Sequence, residues 1–137
     1  MLMMMAEAAS GRSTCSRLHV GAVIAKENRA ISTGYNGTPA GLPHCEHGDI
    51  NDPCLEAVHA EANAIVFAAR HGVAVEGGEL FTTHMPCLAC CNLIINAGIR
   101  RVVWLHPYRD VSGVELLINA RVLTMQMGYY SPGEFDG

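Results

Sequence analysis

The sequence predicts an α/β sandwich, a sheet of about five strands with helices on both faces. Three observations predict it. Short apolar runs rich in β-branched residues alternate along the chain with stretches whose apolar side chains recur at three- and four-residue steps. Gly, Pro, Asn and Asp punctuate the changes from one pattern to the other. The chain has 137 residues and shows no internal repeat, low-complexity tract or linker, so a single domain over residues 1–137 accommodates all of it.

Each element follows in order. "MLMMMAEAAS" is predicted as a helix because Met, Leu and Ala are good helix formers, and Gly11 breaks it. "HVGAVIAK" (His19–Lys26) and "RAISTGYN" (Arg29–Asn36) read as two strands of a hairpin. Residues 37–52 then form a long loop marked by Gly37, Pro39, Gly41, Pro43, Gly48 and Asp52. Loops of this length in a compact domain are functional or tied down. From Pro53 to His71 the apolar residues Leu55, Val58, Ala62, Ile65, Val66 and Ala69 mark an amphipathic helix ending at Gly72. "GELFTTHM" (Gly78–Met85) is a strand. "PCLACCNLIINAG" (Pro86–Gly98) is a helix with Pro near its start and Gly past its end. "RRVVWLH" (Arg100–His106) is a buried strand, "SGVELLINAR" (Ser112–Arg121) a helix, and "LTMQMGYY" (Leu123–Tyr130) the last strand.

Composition narrows the functional class. Half the residues are hydrophobic and 16% are charged, which argues against disorder. Nine Lys and Arg stand against thirteen Asp and Glu, for a net charge of −4. A duplex-DNA or tRNA binder wants a basic face. A small-molecule substrate fits better, with a local basic cluster still able to hold one phosphate. No apolar run reaches the ~18 residues of a membrane helix. The start lacks a basic region and an A-x-A cleavage site, so no secretory signal is read there and a cytoplasmic location is expected. The six cysteines are interleaved with histidines, which favours metal sites over disulfides.

The chemistry concentrates at two predicted helix starts. Cys87 and Cys90, three residues apart, can turn both sulfurs to one point at a helix N-terminus, where free N–H groups stabilise thiolates. His59 offers a third ligand of the kind zinc prefers. Three protein ligands leave a fourth position open, the pattern of a catalytic rather than a closed structural site. Glu61, two residues from His59, can carry protons for a water activated there. A lone C-x-x-C also occurs in redox motifs and structural zinc knuckles, and a lone H-x-E is weaker still. Together, as "HAEAN … PCLAC", they form the H-x-E…P-C-x-x-C signature of zinc nucleobase deaminases. "GYNGTPAG" is not a Walker loop, because no Gly-Lys-Ser/Thr follows.

The likeness runs further. "STCSRLHVGAVI", "STGYNGTPAG", "HAEANAI", "TTHMPCLACCNLIINAGI" and Tyr108 cover about Ser13 to Tyr108, and over this span the chain resembles deoxycytidylate (dCMP) deaminases of the phage and bacterial type. The resemblance implies the cytidine-deaminase-like three-layer α/β/α sandwich with a central mixed sheet. It implies hydrolysis of dCMP to dUMP and ammonia, feeding dTMP synthesis, in a hexamer regulated by dCTP and dTTP with Mg2+. In that chemistry Glu61 takes the proton of the attacking water, protonates N3 and then serves the leaving amino group.

Residue roles carry over from the same resemblance. Asn63 is expected at the deoxyribose 3′-hydroxyl, the Ala60 N–H at the base O2, Tyr108 along the sugar and phosphate, and Arg17 at the phosphate or ribose. Asn36, Gly37 and Arg70 are expected to bind or respond to the regulatory nucleotide. Some members hold a second, structural zinc through cysteines matching Cys15 and Cys45. A closed site needs four ligands, so Cys54 and His47 complete it here, with His47 preferred to His44 because His44 adjoins Cys45. Cys91 is expected to be a buried thiol. Related chemistries stay open at this point: a 5-substituted dCMP, cytidine, a tRNA adenosine disfavoured by the charge, or a nucleotide-sensing module without turnover.

Overall fold

The computed structural model describes residues 1–15, 18–44 and 57–128. Among them the chain forms α1 (Leu2–Ser10), β1 (Gly21–Lys26), β2 (Arg29–Tyr35), α2 (Ala60–Arg70), β3 (Glu79–His84), α3 (Leu88–Asn96), β4 (Arg101–His106), α4 (Ser112–Asn119) and β5 (Leu123–Gln126). The strands make one mixed sheet in the order β2-β1-β3-β4-β5. β1 runs antiparallel to both β2 and β3, while β3, β4 and β5 are parallel. The parallel pairs need crossovers, and α3 and α4 supply them.

Alternation along the strands builds two cores. Ala22, Ile24, Leu80, Val102 and Trp104 face α2, α3 and α4 and pack with Ala60, Ala64, Ala68, Ile94 and Leu117. Val23, Ala25 and Val103 face the other way, onto Leu2, Met3 and Ala6 of α1. The period-two pattern of each strand therefore splits between one helix on one face and three on the other. This is the expected three-layer sandwich. Between β1 and β2 the turn residues Glu27 and Asn28 both take positive φ, 51° and 63°, which matches the right-handed twist of a tight hairpin.

One boundary needs correction. The helix expected from Pro53 begins at Ala60. Val58 instead forms an antiparallel bridge with Gly37, the two residues exchanging N–H···O bonds of 2.8 and 3.1 Å. That bridge holds the chain extended just before α2, although the apolar spacing of Leu55 and Val58 matches a helix. Residues 53–56 lie outside the described residues, as do Tyr129 and Tyr130 of the expected last strand.

α2 sits unusually close to the sheet. A methyl group on Gly34 of β2 would lie 2.3 Å from the Ala60 carbonyl oxygen and 2.6 Å from the Ala64 nitrogen. Only glycine allows this approach, and it brings the first turn of α2 down beside β1 and β3.

Candidate active site

The site lies where α2 and α3 begin, beside the carboxyl ends of β3 and β4. Ligand sites of α/β sheets favour this edge. His59 is the N-cap of α2 in extended conformation (φ −68°, ψ 152°), and Cys87 is the extended N-cap of α3 (φ −75°, ψ 169°). Both side chains therefore leave the chain ahead of a helix start, where backbone dipoles present positive charge. Cys90 follows one turn into α3 and is buried.

His59 Nδ1 stands 3.4 Å from Cys87 Sγ and 3.3 Å from Cys90 Sγ, and one ligand atom from each residue lies within 4.8 Å of the others. Zinc bond lengths at a tetrahedral angle place nitrogen and sulfur ligands roughly 3.5 Å apart. Two sulfurs and one imidazole nitrogen at this separation fit zinc. The electrostatics agree. Hydrogen bonding from Cys90 first, then from His59, lowers the Cys87 thiol to about 4. Loss of a second proton from Cys90 is opposed by Cys87, by burial and by Glu61. A bound cation would favour the thiolate form of both cysteines.

Glu61 is only 4% exposed. Burial raises its pKa, against the lowering effect of its own backbone N–H and of Thr82. The Thr82 hydroxyl donates to Glu61 Oε1 at 2.9 Å. Thr82 itself is fully buried on β3. Nothing local in the chain marks Thr82, since a threonine in a strand carries no signal of which helix residue it will face.

A cavity of ≈ 330 Å³ opens onto these groups. His59, Ala60, Glu61, Cys87 and Tyr108 line it, together with Cys15, Asn36 and His84. The expected site groups His59, Ala60, Glu61, Tyr108, Cys15 and Asn36 thus share one space with Cys87. Asn36 borders it with its amide committed to backbone. Its Nδ2 donates to Leu18 O at 2.6 Å, and its Oδ1 accepts from Val20 N–H at 2.8 Å. Asn63 Nδ2 donates to Tyr35 O at 2.9 Å, which leaves its Oδ1 for another partner. Gly37 is engaged in the Val58 bridge. Arg70 is exposed in the last turn of α2 and does not line the cavity.

Cys15 is buried at 2% exposure. Cys45, His47 and Cys54, expected beside it, lie outside the described residues, as does Arg17. His44 is described and exposed. Cys91 is a fully buried thiol, pushed up to about 12 by burial, as expected.

A three-layer sandwich carrying a His-Cys-Cys triad at two helix starts, with a buried glutamate beside it, defines a zinc-dependent deaminase domain. The chain belongs to the cytidine and deoxycytidylate deaminase family, whose zinc-binding region matches residues 1–106. It is 41% identical over 114 residues to the deoxycytidylate deaminase of Mycobacterium phage D29, covering 72% of this chain and 87% of that one. ComE operon protein 2 of Bacillus subtilis is 46% identical over 101 residues, 72% of this chain. The crystal structure of the cyanophage S-TIM5 dCMP deaminase in complex with dCMP and dUMP superposes with a TM-score of 0.84 at 35% identity, covering 91% of this chain and 93% of that one. The chain spans 53% of the length of ComE operon protein 2 and 44% of the deoxycytidylate deaminase of Saccharomyces cerevisiae.

Proposed function

We propose that the chain deaminates dCMP, converting dCMP and water to dUMP and ammonia. One observation carries the reading: His59, Cys87 and the buried Glu61 line a single cavity. The deoxycytidylate deaminases among the relatives, and the dCMP and dUMP bound to the S-TIM5 enzyme, support the choice of substrate.

His59, Cys87 and Cys90 would hold a zinc ion, which would supply Lewis-acid activation of water near neutral pH. Glu61 takes a proton from the water that attacks C4 and delivers it to N3. It then carries a proton to the amino group, which leaves as ammonia. A carboxylate whose pKa burial has raised is suited to a proton that must be both accepted and released. The Ala60 N–H meets the base O2. Asn63 Oδ1 is available to the sugar 3′-hydroxyl, and Tyr108 flanks the sugar and phosphate.

Arg17 contacts the phosphate or ribose. Cys15, Cys45, His47 and Cys54 hold a second, structural zinc. The proposal extends to a cytoplasmic homo-hexamer in which Asn36, Gly37 and Arg70 respond to dCTP and dTTP. Zinc analysis reading two ions per chain, falling to one in Cys15→Ser, checks the second site.

Turnover decides the main reading. Zinc-loaded protein assayed against dCMP, CMP, deoxycytidine and cytosine should prefer dCMP. Glu61→Gln should keep its zinc and lose roughly 100- to 10,000-fold in kcat, the range for a general acid–base group. Full activity in that variant would sink the assignment.

A further inference from the structure

We infer that His84 is a substrate-recognition residue, its Nε2–H donating to a sugar or phosphate oxygen of the nucleotide. The inference rests on the dCMP reading and deepens it. His84 ends β3 and lines the cavity that holds His59 and Glu61.

A chain of hydrogen bonds sets its tautomer. The Gly21 N–H donates to Thr83 Oγ1 at 3.1 Å, and Thr83 is 3% exposed. With that lone pair filled, the Thr83 hydroxyl proton goes to His84 Nδ1, 2.8 Å away. The opposite tautomer would leave a buried hydroxyl proton without an acceptor, which native structures avoid. Nδ1 is therefore the acceptor, and the ring proton sits on Nε2. His106, the register partner of His84 on β4, stacks against the ring with centroids 4.8 Å apart. One edge and one face of the imidazole are thus held, and Nε2 bonds no described residue. Burial first and His106 second lower the His84 pKa to about 4, so the ring recognises its ligand as a neutral donor.

The ligand atom follows by elimination. Under the proposed reading Glu61 serves N3 and the Ala60 N–H serves O2. The acceptors that remain on the nucleotide belong to the sugar and the phosphate. Among the described lining residues there is no Arg or Lys, so His84 is a principal side-chain donor on that wall.

Zinc-loaded wild type, His84→Leu, His84→Gln and Thr83→Val are compared by dCMP kinetics and by calorimetric binding of dUMP and deoxyuridine. His84→Leu should raise KM for dCMP and Kd for dUMP by roughly tenfold or more, with much less effect on kcat. His84→Gln keeps an N–H donor and should recover part of the loss, while Thr83→Val, which frees the ring, should fall between. Weaker binding of dUMP alone places the acceptor on the phosphate. Equal weakening of deoxyuridine places it on the sugar. Unchanged dUMP affinity in a zinc-replete His84→Leu protein overturns the proposal, as does an equal loss in Leu and Gln variants, which would mean packing. If His84→Leu does not fold, the Gln and Thr83→Val variants carry the same comparison. Wild type that binds dUMP without deaminating dCMP removes the enzymatic reading alone. Wild type that binds neither removes both.

Discussion

The Thr82 hydroxyl lies between two acceptors, 2.9 Å from Glu61 Oε1 and 3.0 Å from the carbonyl of His84. It has one proton and can also accept. When Glu61 is ionised, the hydroxyl donates to it. When Glu61 carries a proton, Glu61 can donate to Thr82 while Thr82 turns its own proton to His84. The carboxyl group is therefore held in place whether or not it carries a proton. Thr82→Val, which keeps the shape and removes the hydroxyl, should lower kcat for dCMP about tenfold or more with KM and zinc content little changed. Thr82→Ser should restore most of the activity. An unchanged kcat in the Val variant would show that Glu61 is positioned by packing alone.

The His59–Cys87–Cys90 triad predicts metal dependence at a defined position. Cys90→Ser should lower bound zinc by one ion per chain and abolish turnover. Chelation of the wild type should do the same reversibly, and added zinc should restore it. Elemental analysis alongside the assay checks both. The melting temperature should fall on chelation, because metal binding to the folded state alone adds its binding energy to folding.

Gly34 predicts a steric effect transmitted to the site. A methyl there meets the backbone of α2 at 2.3 and 2.6 Å, so the helix must move. Gly34→Ala should cost about 1–3 kcal/mol of stability, the usual range for overpacking. It should also lower kcat, since Glu61 rides on the displaced turn. Gly128, whose added methyl meets nothing within 4 Å, should accept Ala without either effect. Denaturant midpoints and initial rates measured on both variants test the contrast.

His84 predicts an acid-sensitive step in stability. Its pKa falls from 6.5 to about 4 on folding, chiefly through burial. The unfolded chain therefore takes up this proton first as pH falls. The contribution is fully present above 6.5 and is lost as pH drops toward 4. In thermal melts the stability difference between His84→Leu and wild type should shift in the variant's favour as pH falls, the variant losing less stability between pH 7 and pH 5. Parallel loss in both proteins would exclude His84 as the cause.

How much of this was legible in the residues depends on the range of the contact. The triad and Glu61 were legible because the ligand types and short spacings recur in one chemical signature. The buried thiol of Cys91 was legible because it follows Cys90 directly on the helix and so projects from a different side of it. The start of α2 was not, because the Val58 bridge to Gly37 crosses residues 38–57 and overrides a local helical pattern. The backbone partners of the Asn36 and Asn63 amides, Leu18 O and Tyr35 O, were not legible because they lie 18 and 28 residues away in the chain.

By itself the sequence determined the alternation of strands and helices, the three-layer class and the grouping of a His59, Cys87 and Cys90 ligand set with Glu61. Those follow from periodicity and side-chain chemistry, which act over a few residues or through one recognisable pair of motifs. Only the tertiary structure decided that Thr82 holds Glu61, that Thr83 orients His84, and that α2 lies close enough for either to matter. These contacts join β3 to α2 and to the start of β1. They depend on which strand lies beside which and on the missing side chain of Gly34, and no local pattern in the chain encodes that.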